Sequence, residues 1–280
     1  MKIGIVGLGL IGGCLGLDFK AAGHKVYGIA RRAETCQQAI RRQIVDYVGT
    51  ELTDLKPCDI VVVCTPIATI VPMVKKLATV LSPGTIVTDV GSVKTAIVEE
   101  ATAHWPYFVG AHPMNGKSEA GLEAAESGIF YRRPYVITPL TMTDEKAAAQ
   151  VGQLAQQIGS RLYRCTPEEH DRAVAWISHL PVMVSSSLIQ SAIEESDPEV
   201  LELAQQLASS GFRDTSRVGG GNPQLGLMMA QYNRDEVLRS LKRYQMVIAQ
   251  TITQVEDCDW GAIACKLEKT KAGRIHFVEN

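Results

Sequence analysis

The length, composition and charge of the chain indicate a soluble globular protein with room for two domains. It has 280 residues, of which 46% are hydrophobic and 21% are charged, and its formal net charge is −2. No excess of basic residues exists, so a nucleic-acid partner is not expected. Seven cysteines occur without a Cys-x-x-Cys pair or a zinc-binding spacing. We expect them to be reduced, buried side chains, and no metal site is predicted.

The amino terminus superficially resembles a signal peptide, because Lys2 precedes an apolar run from Ile3 to Leu17. Glycines recur in that run at the spacing of a strand-to-helix turn, and a charged helix follows directly. We interpret the segment as a folded strand and helix, and we expect a cytoplasmic protein. No uncharged apolar run is expected to be long enough to span a bilayer, so no membrane association is predicted.

Residues 1–165 alternate apolar strands with helical segments, which is typical of a mostly parallel sheet covered on both faces. Helices are predicted at Ile70–Val80 and Glu145–Ile158, among other places. The fold class is therefore α/β, a Rossmann-like doubly wound sheet. The predicted strands are Lys2–Val6, Lys25–Ile29, Ile60–Cys64, Thr85–Asp89, Phe108–Ala111, Tyr135–Thr138 and Arg161–Arg164.

Residues 166–280 change to long apolar patterns of helical period, so the second domain is predicted to be all helical. Thr166 to Glu169 form a capping box with proline at the first helical position. Further helices are predicted to start at Ser196–Glu199 and Asn233–Glu236, and Pro181 is expected to kink or break the first one. Helices this apolar are expected to bury a face against a second subunit, which predicts a homodimer.

A glycine-rich motif lies between the first strand and the first helix, and it predicts a dinucleotide site. Glycines at its first, third and sixth positions permit a tight turn and a close approach of the backbone to a pyrophosphate. The free N–H groups of the helix amino terminus would bind that anion. Because the strand, the helix and the second strand occur in order, the nucleotide reading is favoured over a packing turn. The predicted cofactor-binding residues are Gly7, Leu8, Gly9, Leu10, Ile11 and Gly12.

The end of the second predicted strand indicates which nicotinamide cofactor is bound. An NAD-selective protein would offer a carboxylate to the ribose there, whereas this chain offers Arg31 and Arg32. Two guanidinium groups can hold a ribose 2′-phosphate, so NADP is predicted. The alternative is a solvated helix start in which Glu34 neutralises one arginine. The turn formed by Cys64, Thr65 and Pro66 is expected to lie along the cofactor, although an ordinary X-Pro turn has the same sequence.

A histidine at the carboxyl end of a predicted strand is the best candidate for a catalytic base. Open α/β sheets bind ligands at that edge, and the imidazole of His112 can accept a proton near neutral pH. The segment from Asp89 to Lys94 ends the neighbouring strand and offers the Ser92 hydroxyl, the flexible backbone of Gly91 and the Lys94 cation at the same edge. Gly91 is predicted to bind the cofactor. Ser92 could hold a substrate hydroxyl or orient His112, or it could cap a helix. Lys94 is interpreted as a charge on the surface of a helix.

Five segments in order resemble the prephenate and arogenate dehydrogenases of tyrosine biosynthesis, and the resemblance covers the full length. They are GLGLIG, DVGSVK at 89–94, GAHPMNG at 110–116, SHLP at 178–181 and GFRDTSR at 211–217. The resemblance implies oxidative decarboxylation with a nicotinamide cofactor by a dimer with a helical carboxyl-terminal domain. It implies that His112 is the general base on the ring hydroxyl and that Ser92 is its hydrogen-bonding partner. It also implies that Arg217 binds a substrate carboxylate.

Three further residues are candidates for substrate binding. Arg213 could share the anionic pocket of Arg217, although an ion pair with Asp214 is the plainer reading. His179 could line the cleft between the domains or be a satisfied core histidine. Asn115 follows His112 in the same segment.

One departure from the family bears on the substrate. Many members carry His-Leu-Pro-His, with the second histidine helping to bind the pyruvyl side chain of prephenate, and this chain has Val182 there. Together with the small-residue loop Gly219–Gly221, this favours arogenate, with prephenate as the alternative. Two other readings stay open: a β-hydroxyacid dehydrogenase or imine reductase of similar plan, and a non-catalytic NADP-sensing dimer. Those reductases usually depend on a lysine in the helical domain, and no motif marks one here.

Overall fold

The protein is described by a computed structural model covering residues 1–117, 119 and 121–278. Eight strands form one sheet in the order β3-β2-β1-β4-β5-β6-β7-β8. All neighbouring pairs are parallel except β6 and β7, which are antiparallel. The strands are β1 (Lys2–Val6), β2 (Lys25–Ile29), β3 (Tyr47–Gly49), β4 (Ile60–Val63), β5 (Ile86–Asp89), β6 (Phe108–Pro113), β7 (Pro134–Thr138) and β8 (Arg161–Arg164).

Twelve α-helices accompany the sheet in the described residues, and the last seven follow its final strand. A 3₁₀ turn at Leu52–Leu55 and a π-helical turn at Ala175–His179 complete the elements. The helices are α1 (Leu10–Ala21), α2 (Ala33–Arg41), α3 (Ile67–Leu77), α4 (Thr95–His104), α5 (Glu145–Gln157), α6 (Pro167–Val174), α7 (Leu180–Ile193), α8 (Pro198–Leu207), α9 (Ser210–Ser216), α10 (Pro223–Tyr232), α11 (Arg234–Glu256) and α12 (Trp260–Val278).

Two apolar layers cover the two faces of the sheet. One contains Ile3 and Ile5 of β1 with Leu15 and Phe19 of α1, and the other contains Val61 and Val63 of β4 with apolar side chains of α3 and α4. A strand buried on both faces must be apolar at every position, as β4 is. The predicted α/β class, a doubly wound and mostly parallel sheet followed by helices, is confirmed. The short strand β3 was not predicted, because three residues carry too little pattern.

The first helical segment after the sheet is continuous from Pro167 to Ile193. Its start has the predicted capping box between Thr166 and Glu169. The segment does not end at Pro181, because the proline lies in the first turn of α7, directly after the π-helical turn. A π turn already leaves backbone groups unpaired, so a residue without an N–H fits there.

This segment is also long and apolar enough to cross a membrane by length and composition, so the expectation that no run reaches that length was wrong. The same property is found in core helices of soluble proteins, and a single such helix is weak evidence for a membrane protein. The buried polar side chains His170, Asp171 and Ser185 lie along it. Each is hydrogen-bonded to another part of the protein, as expected of a helix packed inside a folded domain.

The described residues form two compact units, 1–234 and 235–280. The first contains the whole sheet together with α1 to α10. The second contains nearly all of α11 together with α12, and the Lys266 ammonium donates a hydrogen bond to the Thr251 hydroxyl within it. The functional division predicted from sequence, residues 1–165 and 166–280, stays a prediction.

Candidate active site

The glycine-rich turn after β1 is built to admit a ligand at the start of α1. Gly7 has φ +100°, and a Cβ there would lie 2.7 Å from the Cys64 carbonyl oxygen. A Cβ on Gly12 would lie 2.1 Å from the Gly7 carbonyl oxygen, so only glycine lets helix and strand approach this closely. A Cβ on Gly9 would meet nothing within 4 Å, and Gly9 is the N-cap of α1. Open space therefore lies beside the helix amino terminus.

The other residues of this motif support the turn. Leu8 is buried and faces Gly28 of β2, while Leu10 and Ile11 begin α1 and are half-buried. The first turn of α1 carries no acidic side chain, and no side chain caps it. Unoccupied N–H groups at a helix amino terminus attract anions, so this end of α1 fits the pyrophosphate of a dinucleotide.

Arg31 and Arg32 are exposed at the end of β2, and Arg32 is the N-cap of α2. The carboxylate that acts on Arg32 is Glu123, from the segment between β6 and β7. The main-chain N–H of Glu123 and the side chain of Gln38 lower the pKa of this carboxyl, and Arg32 lowers it further. The sequence alternative, in which Glu34 neutralises one arginine, stays a prediction.

The turn after β4, formed by Cys64, Thr65 and Pro66, lies against the glycine-rich turn and carries a hydroxyl. Cys64 contacts the glycine turn through its carbonyl, and burial raises the pKa of its thiol. The Thr65 hydroxyl is buried and has no hydrogen-bond partner among the residues described, which leaves it available to a ligand. Pro66 is the N-cap of α3 and starts that helix.

Lys94 is completely buried and forms an ion pair with Asp89, so its interpretation as a surface charge was wrong. Both side chains form hydrogen bonds with the backbone of Ala111, the residue before His112. The Ala111 N–H donates to Asp89 Oδ1 over 3.0 Å, and Lys94 Nζ donates to the Ala111 carbonyl over 2.8 Å. Burial lowers the pKa of Lys94, while Asp89 raises it. Gly91 donates its N–H to Asp89 Oδ2, and a Cβ on Gly91 would lie 2.9 Å from that oxygen.

A chain of hydrogen bonds leads from the start of α4 to His112. Asp171 accepts from the N–H groups of Lys94 and Thr95 at 2.7 and 2.8 Å, so it caps α4 from a different helix. Asp171 Oδ1 lies 2.8 Å from His170 Nδ1, and His170 Nε2 lies 2.9 Å from His112 Nδ1. Burial raises the pKa of Asp171, but hydrogen bonds from His170 and α4 outweigh it and lower the pKa overall.

The order of donors and acceptors determines which nitrogen of His112 is basic. The Asp171 carboxylate can only accept, so His170 carries its hydrogen on Nδ1. Burial lowers the pKa of His170, and a neutral ring then accepts at Nε2. The hydrogen between the two rings therefore belongs to His112 Nδ1. His112 presents a lone pair on Nε2, as a general base requires.

Electrostatics keep His112 neutral. Burial lowers its pKa well below 6.5, and the charges of His170, Lys94 and His179 would each oppose a proton there. Burial likewise lowers the pKa of His179 to about 4. The side chains of His112, His170 and His179 are therefore neutral imidazoles at neutral pH.

His179 and Ser92 also belong to the cluster, and the Ser92 backbone lies beside the His179 ring. His179 is fully buried, and its Nδ1 lies 3.0 Å from Nδ2 of Asn233. In the part of the chain that the structure describes, neither His179 Nε2 nor the Ser92 hydroxyl has a hydrogen-bond partner. His170, not Ser92, occupies Nδ1 of His112, so the idea that Ser92 orients His112 stays a prediction.

The three remaining candidates for substrate binding, Arg217, Arg213 and Asn115, do not belong to the hydrogen-bonded cluster around His112. Arg217 is exposed at the carboxyl end of α9, a helix fixed to α7 by a bond from the Ser185 hydroxyl to the Thr215 carbonyl. Arg213 is exposed and forms the ion pair with Asp214. Asn115 donates its side-chain N–H to the Ile129 carbonyl, which orders the segment after His112. No hydrogen bond between residues 1–117, 119 and 121–278 joins any of them to His112.

Sequence reasoning missed His170, Asp171 and Asn233. The first two follow a capping box, where His-Asp resembles the polar surface of a helix. Asn233 is the C-cap of α10 and was interpreted only as a helix start.

The open glycine turn, the anion-binding helix end and the neutral histidine at the sheet edge define a dinucleotide-dependent oxidoreductase. Comparison with known proteins specifies the family. Residues 15–164 match the family model of the prephenate dehydrogenase nucleotide-binding domain, and residues 166–269 match that of the prephenate dehydrogenase dimerization domain. The chain belongs to the prephenate/arogenate dehydrogenase family.

Individual relatives agree with this assignment. Prephenate dehydrogenase of Bacillus subtilis (strain 168) is 30% identical over 262 residues, covering 91% of this chain and 70% of that enzyme. The crystal structure of Synechocystis arogenate dehydrogenase is 48% identical with a TM-score of 0.89, covering 99% of this chain and 100% of that one. The crystal structure of prephenate dehydrogenase from Aquifex aeolicus, in complex with hydroxyphenyl propionate and NAD+, is 26% identical with a TM-score of 0.93. The match covers 99% of this chain and 98% of that one.

Proposed function

We propose that the protein oxidatively decarboxylates arogenate to tyrosine with hydride transfer to NADP, and that His112 is the general base. The observation that carries this proposal is the chain from Asp171 through His170 to His112, which leaves the Nε2 lone pair of His112 free. A base that stays neutral at physiological pH suits the ring hydroxyl, because its proton must leave as the hydride leaves.

The steps balance with the groups named. A nicotinamide held at the glycine turn would supply the acceptor for the hydride of the ring carbon that carries the hydroxyl. His112 Nε2 takes the hydroxyl proton, and a ring carbonyl forms. The bond to the ring carboxylate then breaks, CO2 leaves, and its electron pair restores an aromatic ring with a phenolate oxygen. His112 returns the proton to that oxygen and is neutral again.

Arg217 is proposed to bind a substrate carboxylate, and Arg213 to contribute positive charge beside it. Arginine suits this role, because its planar fork matches a carboxylate and keeps its charge. Orientation of the ring by Arg217 would bring the hydroxyl to His112. Asn115 would act indirectly, through the segment that it orders.

Arogenate is favoured over prephenate by the residue at position 182. Val182 is apolar and lies 3.5 Å from the position of a Cβ on Gly226, so it offers no donor to a pyruvyl group. The 48% identity to a structure described as arogenate dehydrogenase supports the same choice. Prephenate is the second candidate, since the curated relatives from Bacillus subtilis and Lactococcus lactis are prephenate dehydrogenases.

The working unit is proposed to be a soluble, cytoplasmic homodimer, in which residues 1–165 bind the cofactor and residues 166–280 bind substrate and dimerise. The match to a dimerization domain supports this. So do large apolar side chains that are exposed in the single chain, which a second copy would cover. Among them are Ile177, Ile193, Leu203, Leu207 and Ile252.

NADP is favoured by Arg31 and Arg32, and their joint replacement by alanine is the direct test. The variant should lose about ten- to a hundred-fold in kcat/KM with NADP and little with NAD, because two charge-assisted hydrogen bonds to a phosphate disappear. Calorimetric binding of 2′,5′-ADP should weaken to the same extent, while 5′-AMP binding stays unchanged. Arg41→Ala, at the other end of α2, is the matched control. An unaltered NADP preference would show that other groups hold the phosphate.

The function itself is tested by assaying purified protein with each substrate and each cofactor in four combinations. Arogenate with NADP should give tyrosine, CO2 and NADPH with the highest kcat/KM. A higher value with prephenate would move the substrate assignment to that compound. Absence of reduced cofactor in all four reactions would contradict the enzymatic proposal and leave a cofactor-sensing role.

A further inference from the structure

Asn233 connects the backbone of Asp171 with the side chain of His179. Its side chain is 5% exposed, and its Nδ2 lies 2.8 Å from the Asp171 carbonyl oxygen and 3.0 Å from His179 Nδ1. A carbonyl oxygen can only accept, so the atom that faces it must be the amide nitrogen and not the amide oxygen. Both amide hydrogens are therefore assigned, one to Asp171 and one to His179.

This arrangement fixes the tautomer of His179. An amide nitrogen has no lone pair to accept with, so His179 Nδ1 must be the acceptor in their hydrogen bond. A neutral imidazole that accepts at Nδ1 carries its hydrogen on Nε2. Adding a second proton at Nδ1 would set two N–H groups against each other, in agreement with the low pKa of His179 caused by burial.

The resulting donor is buried. His179 is 0% exposed, and within the described residues its Nε2 forms no hydrogen bond of normal geometry, although the Ser92 backbone lies close enough to raise the pKa of the ring. A buried polar hydrogen without a partner costs about 1–3 kcal/mol, which a ligand can recover by supplying an acceptor. The Ser92 hydroxyl, which also lacks a partner among those residues, belongs to the loop next to it. His179 also opposes a proton on His112, so the two rings lie close enough to interact electrostatically.

We infer that Asn233 is a positioning residue that holds His179 as the Nε2–H tautomer, and that His179 donates this hydrogen to the ring oxygen of the substrate. The site then presents one acceptor, His112 Nε2, and one donor, His179 Nε2–H, to the same oxygen. The acceptor takes the hydroxyl proton, and the donor stabilises the negative charge that reaches the oxygen as CO2 leaves. The catalytic part of this inference rests on the proposed function, whereas the tautomer does not.

The tautomer is tested by ¹⁵N NMR of the histidine side chains in the full-length protein. Wild-type His179 should show a protonated Nε2 and an unprotonated Nδ1. In Asn233→Asp a carboxylate replaces the donor, so the hydrogen should move to Nδ1, and kcat should fall about ten-fold or more. Gln157→Glu makes the same amide-to-carboxylate change beside the half-buried His24 and should alter neither the His179 signal nor kcat. A wild-type His179 protonated on Nδ1 would overturn the assignment, whatever the enzyme's activity.

Two substitutions of His179 separate a donor role from a packing role if Asn233→Asp does not fold. Glutamine places an N–H near the position of Nε2, whereas leucine fills similar space without a donor. His179→Gln should therefore retain at least about ten-fold more kcat than His179→Leu, with similar melting temperatures. Equal rates in both would contradict the donor role.

Ligand titration identifies the acceptor. The Nε2–H signal of wild-type His179 should shift when tyrosine is added without cofactor, because the phenol oxygen accepts its hydrogen. NADP alone should leave the signal in place. A shift with NADP and none with tyrosine would assign the donor to the nicotinamide carboxamide and overturn the ring-oxygen assignment.

Discussion

Replacing His112 by alanine should lower kcat by about two to four orders of magnitude, the usual contribution of a positioned general base. NADP binding, followed by quenching of protein fluorescence, should not change, because the proposed cofactor contacts lie on the glycine turn and on Arg31 and Arg32. His104→Ala removes an exposed histidine from α4 and should keep the wild-type rate. A His112→Ala enzyme with near-normal turnover would remove the base assignment.

The pH dependence of the wild-type enzyme provides a second check on His112. The base works only when it is neutral, and burial lowers its pKa well below 6.5. The neutral fraction is therefore complete above pH 6.5 and is lost only as the pH falls through the lowered value. We expect kcat/KM to stay level from pH 8 to 6.5 and to decline at more acidic pH. A decline centred at or above pH 6.5 would mean that the imidazole is solvated.

The sequence was sufficient to predict the sheet and the position of His112, because both depend on local pattern. Short apolar runs of β-branched residues such as Ile60–Val63 favour buried strands, and residues that follow strands meet at one edge of a parallel sheet. The glycine turn carries its own steric signature at Gly7 and Gly12. These features need no knowledge of distant contacts.

The support of His112 could not be predicted, because it depends on residues far apart in sequence. His170 lies 58 positions from His112, and Asn233 lies 62 positions from Asp171. A polar residue near a helix end is ordinarily exposed, so nothing local distinguishes Asp171 from a surface acid. Only the packing of α6 against α4 turns its carboxylate into a cap and a histidine partner.

Lys94→Met should destabilise the protein by about 3–5 kcal/mol, because it leaves Asp89 as an uncompensated buried charge. Both side chains are completely buried. Urea unfolding followed by circular dichroism would measure the change. Lys75→Met removes the cation of an exposed ion pair with Glu100 and should leave the melting temperature nearly unchanged, since such pairs contribute little.

The reason for a buried pair at this place is the change of pairing along β6. Parallel pairing with β5 ends at Val109, and from Gly110 onward β6 pairs with β7 in the antiparallel sense. The N–H and carbonyl of Ala111 then face away from β7 without a strand to bind, and Asp89 and Lys94 take the place of that strand. The methionine variant therefore also frees the Ala111 carbonyl beside His112, and the fraction that remains folded should show a lower kcat. Wild-type stability in Lys94→Met would mean that Asp89 is neutral in the folded protein.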